Sequence, residues 1–396
     1  MIWFLLACQP AEVPQAGPEV FSPPTAHVGH DWLFSAERIN RIDLEIPDNS
    51  LEILAAQRRF SYPRDKAMAW ATVDGEDAGR VALRLRGGLG SFEQLDGKPK
   101  LELDFNAFTG ERFHGLESIS LNNRSYGCTG MHENLVYAAY GQAGLVTSRT
   151  GHAQVFVNGQ DYGLYVVVET QDDRWLRRNF NDAGGNYYDG KYYVSEFWVH
   201  WVDFDAGRDD WFDLEEGQDV DFADVRAVSQ AIGESQDGMT EELWQLVDWP
   251  QLLALMRVEM WTGNNDSYGH GRNNYRVYFE PGRPMVMVPW DTDAGLIDED
   301  EDSEGGSADL ELRSDPQSAL AEPCLADPAC RALWAQAGEE VNAALSDGAL
   351  LDLARDYQSL LEEGVVGDPR RVCSQDAWDT QTAGLVAYLE SRTASP

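Results

Sequence analysis

Two aspartates that stand two residues apart, Asp291 and Asp293, follow an apolar stretch in the sequence MVMVPWDTDAGL. Upstream, Asp266 is followed after a short loop by Asn273 and Asn274. This order of Asp, Asn and Asp occurs in phosphoryl transfer, where the first aspartate orients or deprotonates the acceptor hydroxyl and the later residues hold a divalent cation. Oxygen-only ligands suit Mg²⁺ or Mn²⁺. Asn and Asp also favour turns without any ligand, so only the order along the whole chain carries this interpretation.

A glycine-rich turn, GGLGS at residues 87–91, follows a predicted strand. Glycines let the backbone approach a phosphate closely, and the N–H groups of such a turn can point at it. The next strand begins with lysines that could reach the same phosphates. Glycine-rich hairpins are common without any ligand, so the turn alone is a weak signal. The phosphate-binding candidates from this region are Arg86, Gly88, Ser91, Lys98 and Lys100.

Two glutamates complete the set of candidates. Glu133 lies near the start of a predicted helix, where it could favour the helix dipole or pair with the lysine and hold it on the phosphates. Glu169 ends an apolar strand. That position fits either a hinge beside a nucleotide base or an ordinary exposed strand end.

The elements that must position these residues can be predicted from local patterns. Apolar and polar residues alternate in RIDLEIP, AWATVDGEDAGRVALRLRG and KLELDF, which predicts strands. Hairpins are predicted to turn at Asn158–Gly159 and at Pro281–Gly282. Residues 131–144 and 249–263 have helical spacing, and the chain after residue 315 is mostly helical. We therefore predict an α+β fold with a strand-rich first half and a helix-rich second half, arranged as two lobes.

Composition narrows the function classes. The chain of 396 residues is 43% hydrophobic and 11% aromatic, which is enough for a sizeable core. Its formal charge is −38, from 68 acidic and 30 basic side chains. Such a surface repels nucleic-acid phosphates and anionic membranes. The acidic run at residues 298–309 is predicted to be a solvated loop or insertion.

The N-terminus and the cysteines both indicate export. The start MIWFLLAC ends like a bacterial lipobox, in which Cys8 would be lipidated, although the usual basic residues at the start are missing. Residues 9–31 are rich in Pro, Gly and small side chains, as in a tether. An even set of cysteines then remains, for which three disulfide pairings are open, and Cys324 and Cys330 are close enough in sequence to pair. The remaining two are Cys128 and Cys373.

The sequence resembles the CotH kinase family, which is named for a spore-coat protein kinase. The segments that carry the resemblance are RLRGGLGS, GKPKLELDF, FHGLESISLNN, FVNGQDYGLYVVVET, NNDSYGHGRNNYRVYF and VPWDTDAGL. It covers about residues 32–297, and its last three segments are the most specific. The resemblance implies an atypical protein-kinase-like fold, ATP as the phosphoryl donor, and a Ser or Thr of a protein as the acceptor.

The resemblance also implies roles for individual residues. Lys98 matches the phosphate-contacting lysine, with Lys100 as the alternative, and Glu133 matches that lysine's partner. The segment SYGCTGMHEN departs from the family pattern, which puts the role of Glu133 in doubt. Asp266 matches the catalytic aspartate. The metal ligands are predicted to be Asn274 and Asp291, with Asp293 as a further ligand or support.

The predicted organisation is a lipoprotein signal at 1–8, a tether at 9–31 and a kinase-like domain at 32–392 whose lobes meet near residue 170. The expected partner is an exported or cell-surface protein substrate, with membrane contact only through a lipid anchor; the oligomeric state is left open. Two other functions compete with an active kinase. One is an inactive structural or binding lipoprotein with the same fold. The other is a Ca²⁺-binding surface protein that uses DTDAG and the acidic run, although that loop fits an EF-hand poorly.

Overall fold

The structure is a computed structural model. It describes residues 31–60, 63–88, 90–123, 127–190, 193–194, 199–205, 207–235, 238–297, 315–371 and 373–394. The lipobox-like start, almost all of the tether and the acidic run at 298–309 lie outside these residues.

The strands lie mainly in the first part of the chain. They are β1 Ile39–Glu45, β2 Ala67–Val73, β3 Glu76–Leu85, β4 Leu101–Asp104, β5 Ser118–Asn122, β6 Thr150–Val157, β7 Gln160–Glu169, β8 Asn186–Asp189, β9 Tyr193–Val194, β10 Val199–His200, β11 Asp213–Glu216, β12 Tyr275–Phe279 and β13 Val286–Pro289.

Most helices follow residue 220. They are α1 Asp48–Ala56, α2 His132–Gln142, α3 Asp173–Asn179, α4 Ala223–Glu234, α5 Glu241–Leu246, α6 Trp249–Trp261, α7 Tyr268–Gly271, α8 Ala321–Ala326, α9 Pro328–Leu345, α10 Ala349–Gly367 and α11 Gln375–Thr393, with short 3₁₀ helices at Asp31–Phe34 and Asp209–Trp211.

The first seven strands form a closed barrel in the order β1-β2-β3-β4-β5-β7-β6. Neighbours are antiparallel except for β1 and β6, whose parallel pairing closes the barrel. Alternate residues of β2 point inward, so Ala67, Ala69, Ala71 and Val73 are buried in the apolar core that fills the barrel. The barrel therefore follows from the alternating pattern of the sequence.

Two hairpin turns of the barrel are determined locally. Asp74–Gly75 joins β2 to β3, and Asn158–Gly159 joins β6 to β7, with positive φ at all four residues. Positive φ at both central residues is the geometry of the type I′ turn that suits hairpins. The predicted turn at Asn158–Gly159 is confirmed, and so is the hairpin of β12 and β13, which turns through Pro281–Gly282.

A second sheet, in the order β11-β8-β12-β13, accompanies the helical part of the chain. A large apolar core joins α2, α4–α6 and α8–α11 and is separate from the core of the barrel. Helix α6 begins after Asp248, whose side chain accepts a hydrogen bond from the N–H of Gln251 at 3.3 Å. The mixed α+β class is confirmed, whereas the division into two lobes near Glu169 remains a prediction.

Helix α4 is not among the helices predicted from the sequence. The residue before it, Phe222, has a φ of 55° and provides no side-chain cap. Its start therefore lacks the Ser, Thr, Asp or Asn by which a helix N-terminus is recognised in a sequence. Packing of Val225, Val228 and Ala231 into the helical core supplies the stability instead.

Two disulfides link the cysteines of the described chain. Cys324 and Cys330 pair with each other across 5.1 Å between their Cα atoms, which is one of the three arrangements that the sequence left open. Cys128 pairs with Cys373 across 5.7 Å. Disulfides are typical of oxidising compartments, so both bonds are compatible with export. Among the described residues, no helix is both long and apolar enough to span a membrane.

Candidate active site

The centre of the site is a buried lysine between two aspartates. Lys100 directly precedes β4, and its Nζ lies 3.0 Å from Asp291 Oδ1 and 2.7 Å from Asp293 Oδ2. Its side chain is only 3% exposed, whereas that of Asp291 is 30% exposed. The backbone carbonyl of Lys100 accepts the N–H of Arg86 at 2.8 Å. The adjacent ends of β3 and β4 thus meet the end of β13, although Asp291 lies 191 positions after Lys100 in the sequence.

The loop that presents the aspartates is tightly held. Asp291 has a φ of 45° and Asn274 a φ of 53°, conformations that Asp and Asn adopt more readily than most residues. The N–H of Trp290 donates to the carbonyl of Asn274 at 3.0 Å, which joins the two loops. His132 Nε2 lies 2.9 Å from the carbonyl oxygen of Asp293. These contacts fix the carboxylates before any ligand arrives.

The carboxylate of Asp266 is held by hydrogen bonds from both asparagines. It accepts the side-chain amide of Asn273 at 3.1 Å and that of Asn274 at 2.9 Å. Burial raises the pKa of Asp266 against the opposing effect of the Asn273 amide. Glu259 in α6 holds the following short helix, because its Oε2 accepts the N–H of Gly269 at 2.9 Å. The predicted Asp and Asn residues are therefore brought together.

The charges around Lys100 have opposite effects on its partners. Burial lowers the pKa of Lys100, but Asp291 and Asp293 outweigh it and raise that pKa above its ordinary value. Burial also opposes ionisation of Asp291, yet Lys100 lowers the pKa of this carboxyl. For Asp293, burial and the neighbouring Asp291 raise the pKa to about 7. Lys100 thus supplies one ammonium to two carboxyl groups, and the cluster has more acidic than basic groups.

Glu133 belongs to the same electrostatic cluster. It is buried at the start of α2, and its Oε1 accepts the amide of Asn122 at 2.6 Å. Burial and the charge of Asp293 raise the pKa of Glu133, whereas Lys100 lowers it. The structure thus brings Glu133 near Lys100, as predicted for a lysine partner, but the direct ion pairs of Lys100 are with the aspartates.

Lys98, the preferred phosphate-contacting lysine of the sequence analysis, points elsewhere. Its ammonium forms an ion pair with Asp368, and both side chains are almost completely buried. The alternative candidate, Lys100, is the one that meets Asp291. Geometry therefore favours Lys100 for the phosphate-binding role, because Lys98 is engaged with the C-terminal part of the chain.

The glycine-rich turn contributes only part of its length to the site. Arg86 and Gly88 line the cleft beside Asp291. Ser91 is buried, and its carbonyl accepts the amide of Asn123 at 3.3 Å. Of the candidates from this turn, Arg86 and Gly88 line the cleft, whereas Ser91 is not among its lining residues.

Glu169 is not an exposed strand end, and that alternative is wrong. Its carboxylate is 4% exposed and forms ion pairs with Arg149, at 2.6 Å, and with Arg178. Burial opposes its ionisation, but the hydrogen bonds from Arg178 and Arg149 lower the pKa of Glu169. The next residues, 170–172, line the cleft. Glu169 therefore anchors the segment beside the cleft while its own carboxylate is occupied by arginines.

A polar cleft of about 650 Å³ opens beside this cluster. That volume lies in the range of small-molecule sites. A recess of about 30 Å³, lined by Lys100, Ser120, Asn122 and Tyr137, adjoins it at Arg86, Trp290 and Asp291. Other side chains that line the cleft are Arg64, Arg84, Glu102, Ser118, Thr170, Gln171, Asp172, Asp189, Asp213, Glu215, Glu216, Asn273, Asn274 and Arg276.

Sequence reasoning missed a stack of three side chains at the inner end of the cleft. Two guanidinium groups lie over the ring of Trp290, that of Arg86 5.1 Å and that of Arg276 4.2 Å from the ring centroid. Arg276 is buried and also pairs with Asp189 at 3.2 Å. In the sequence, Trp290 directly precedes Asp291 and Arg276 follows Asn274 by two residues, which places both near candidate site residues. Their contact with Arg86 could not be predicted, because Arg86 follows a distant strand.

The oxygen donors of the site fit a divalent cation that is shared with a ligand. Among the described residues there is no group of three His, Cys, Asp or Glu side chains placed to hold a metal. Mg²⁺ is usually bound by one or two carboxylates together with substrate phosphates and water. Asp291, Asp293 and the side-chain oxygen of Asn274 match that smaller donor set.

Comparison with known proteins gives one strong match. The family model described as CotH kinase protein matches residues 83–395. Among solved structures, the chain is similar to one of the toxin–antitoxin complex of HipA, HipB and operator DNA from Shewanella oneidensis MR-1. That match has 14% identity, a TM-score of 0.30, and coverage of 70% of this chain and 57% of that one; it carries no structural argument. No match was found among curated proteins.

Proposed function

The chain belongs to the CotH kinase protein family, and from its cleft we propose that it transfers the γ-phosphoryl group of ATP to Ser or Thr of an exported or cell-surface protein. The observation that carries this proposal is the position of Lys100, which contacts Asp291 and Asp293 and lines the recess that adjoins the polar cleft at Asp291. A kinase-like activity follows from the family, whereas the donor, the acceptor and the location are part of the proposal.

In this proposal the protein's residues bind and orient the reactants. The positive charges of Lys100, Arg86 and Arg276 would stabilise the triphosphate. A cation between the triphosphate and the carboxylates of the cleft would reduce the repulsion between these negative groups. Asp291, Asp293 and Asn274 would hold Mg²⁺ or Mn²⁺, and such an ion neutralises charge that develops on the transferred group. Segment 170–172, beside the anchored Glu169, would border the nucleotide at the junction of the two proposed lobes.

Asp266 is proposed to orient the acceptor hydroxyl and to accept its proton. Its raised pKa makes this carboxylate a stronger base than an ordinary aspartate. The amides of Asn273 and Asn274 hold its carboxylate in one orientation, which limits the conformations available to the base. The export of the protein, with anchoring through Cys8, is supported by the two disulfides and the lipobox-like start.

The test is transfer of labelled γ-phosphoryl from ATP to the protein itself and to a mixture of exported proteins. Wild type should transfer label with Mg²⁺ or Mn²⁺ and not in a chelator. Asp266→Asn should lose transfer, whereas the control Asp352→Asn, at a side chain that is 79% exposed, should not. If wild type neither transfers label nor binds ATP with either metal, the inactive structural or binding lipoprotein replaces the kinase.

A further inference from the structure

Asp368, in the C-terminal part of the chain, contacts the barrel at strand β7. Asp368 follows α10, and its carboxylate accepts the N–H of Leu164 in β7 at 3.1 Å. Gly163 has a φ of +88°, and a Cβ there would lie 1.8 Å from Asp368 Oδ1. The absent side chain of Gly163 therefore provides the space in which Asp368 meets Lys98.

A second residue of the same segment holds the backbone that leads to Lys98. The N–H of Arg370 donates to Asp368 Oδ1 at 2.8 Å. Its guanidinium stacks on Tyr162 at 3.5 Å and donates to the carbonyls of Asp96, at 3.2 Å, and Gly97. The C-terminal segment thus contacts both the side chain of Lys98 and the two residues before it.

The barrel holds Lys98 from the other side. Its N–H donates to Glu93 Oε2 at 2.6 Å, and its carbonyl accepts the amide of Asn123 at 2.6 Å. Pro99 follows, and the proline ring fixes φ near −65°. Only Pro99 separates Lys98 from Lys100, so a displacement of the Lys98 backbone is passed through this restricted residue to Lys100.

We propose that Asp368 is a positioning residue for Lys100. The buried pair of Asp368 with Lys98 sets the path of residues 98–100 and so places the Lys100 ammonium between Asp291 and Asp293. Helix α10 and the segment after it thereby determine the affinity of the cleft for ATP. The affinity part of this inference rests on the proposed function, whereas the positional part does not.

The experiment compares Asp368→Asn, Lys98→Met and the double variant Lys98→Met/Asp368→Asn, with Asp352→Asn as the control. Hydrogen exchange of peptides covering residues 83–100 reports the bond from Arg86 N–H to the Lys100 carbonyl. Calorimetry with Mg²⁺ reports ATP affinity. Both single variants should speed exchange and weaken ATP binding by roughly tenfold to a hundredfold, because a shift of about 1 Å in a binding group has effects of that order. The two effects should not add in the double variant.

The outcomes separate this inference from its premise. Loss of ATP binding in Lys98→Met, with unchanged binding and exchange in Asp368→Asn, would show direct phosphate contact by Lys98 and overturn the inference. Unchanged exchange in both single variants would overturn it as well. If wild type binds no ATP, the proposed function fails while exchange still decides the positional part. Should Asp368→Asn not fold, Arg370→Gln must show the same two effects at smaller size, and their absence would refute the positioning role.

Discussion

Lys98 and Lys100 are two residues apart and both are buried, yet their surroundings differ in charge and in access. Lys98 forms an ion pair with Asp368, and neither side chain is open to solvent. Lys100 forms ion pairs with two aspartates, one of which borders the cleft, and Glu133 adds a further acidic group nearby. The carboxylates around Lys100 outnumber its single ammonium, so they are the better candidates to bind another cation. The comparison separates a structural contact from a candidate active site.

The largest expected effect is on stability, and it concerns the buried ion pair of Lys98 and Asp368. Lys98→Met should lower the free energy of unfolding by about 3–5 kcal/mol, because it leaves the Asp368 charge buried without its cation. Lys98→Met/Asp368→Leu should recover most of this loss, since no charge is then buried. Lys100→Met should cost less stability, because Asp293 can take up a proton. Urea unfolding of the three variants measures this order, and a larger loss in Lys100→Met would contradict the comparison.

The disulfide between Cys128 and Cys373 joins the surroundings of the two lysines. Cys373 follows Asp368 by five residues, and Cys128 precedes His132, which contacts Asp293. Replacing both cysteines by serine should lower stability by about 2–4 kcal/mol. The same replacement of Cys324 and Cys330 should cost less, because that bond closes a loop of 6 residues and the other closes one of 245. Thermal unfolding of protein from an oxidising compartment tests the order, and the reverse order would count against it.

Within the Lys100 site, two aspartates should respond differently to neutralisation. Asp291→Asn should remove the metal-dependent part of ATP affinity, because an amide cannot offset the charge of the cation. Asp266→Asn should keep that affinity and slow transfer by roughly a hundredfold or more. Calorimetry with and without Mg²⁺, paired with transfer rates, distinguishes the roles. Loss of binding in Asp266→Asn with normal binding in Asp291→Asn would reverse them.

The smallest expected effect is the dependence of the free energy of unfolding on pH that Asp293 causes. The pKa of Asp293 rises from an ordinary 3.8 to about 7 on folding, so the folded state binds more protons between these values. This contribution to stability is present below about pH 4 and is lost as pH rises through about 7, at no more than about 1.4 kcal/mol per pH unit. Asp293→Asn should flatten the dependence relative to wild type in urea unfolding from pH 5 to 8. Equal slopes would show that Asp293 is ionised throughout.

Local features of the fold could be predicted from the sequence. The turn Asn158–Gly159 requires only two adjacent residues that tolerate positive φ, and helix α6 has both a capping Asp248 and a regular apolar face. The resemblance found from short motifs is confirmed by the family match to residues 83–395. Helix α4 was missed because its start has no side-chain cap and its stability comes from packing.

The candidate site was predicted in part. The order of Asp266, Asn274 and Asp291 identified residues that the structure brings together around two joined loops. The choice between Lys98 and Lys100 could not be made, because both belong to one short strand-like segment and differ only in their distant partners. The arginines on Glu169 were missed for the same reason: Arg149 is 20 residues away in the chain.

The sequence by itself determined strands and hairpins of the barrel, helix α6, the helical character of the chain after residue 315 and the types of residue available for phosphoryl transfer. These depend on side-chain periodicity and turn conformation, which neighbours along the chain define. Only the tertiary structure decided that Asp368 takes Lys98, that Asp291 and Asp293 take Lys100, and that Cys128 pairs with Cys373. The energy of a buried charge depends on which opposite charge lies within a few ångströms, and here those partners are separated by 191 to 270 residues.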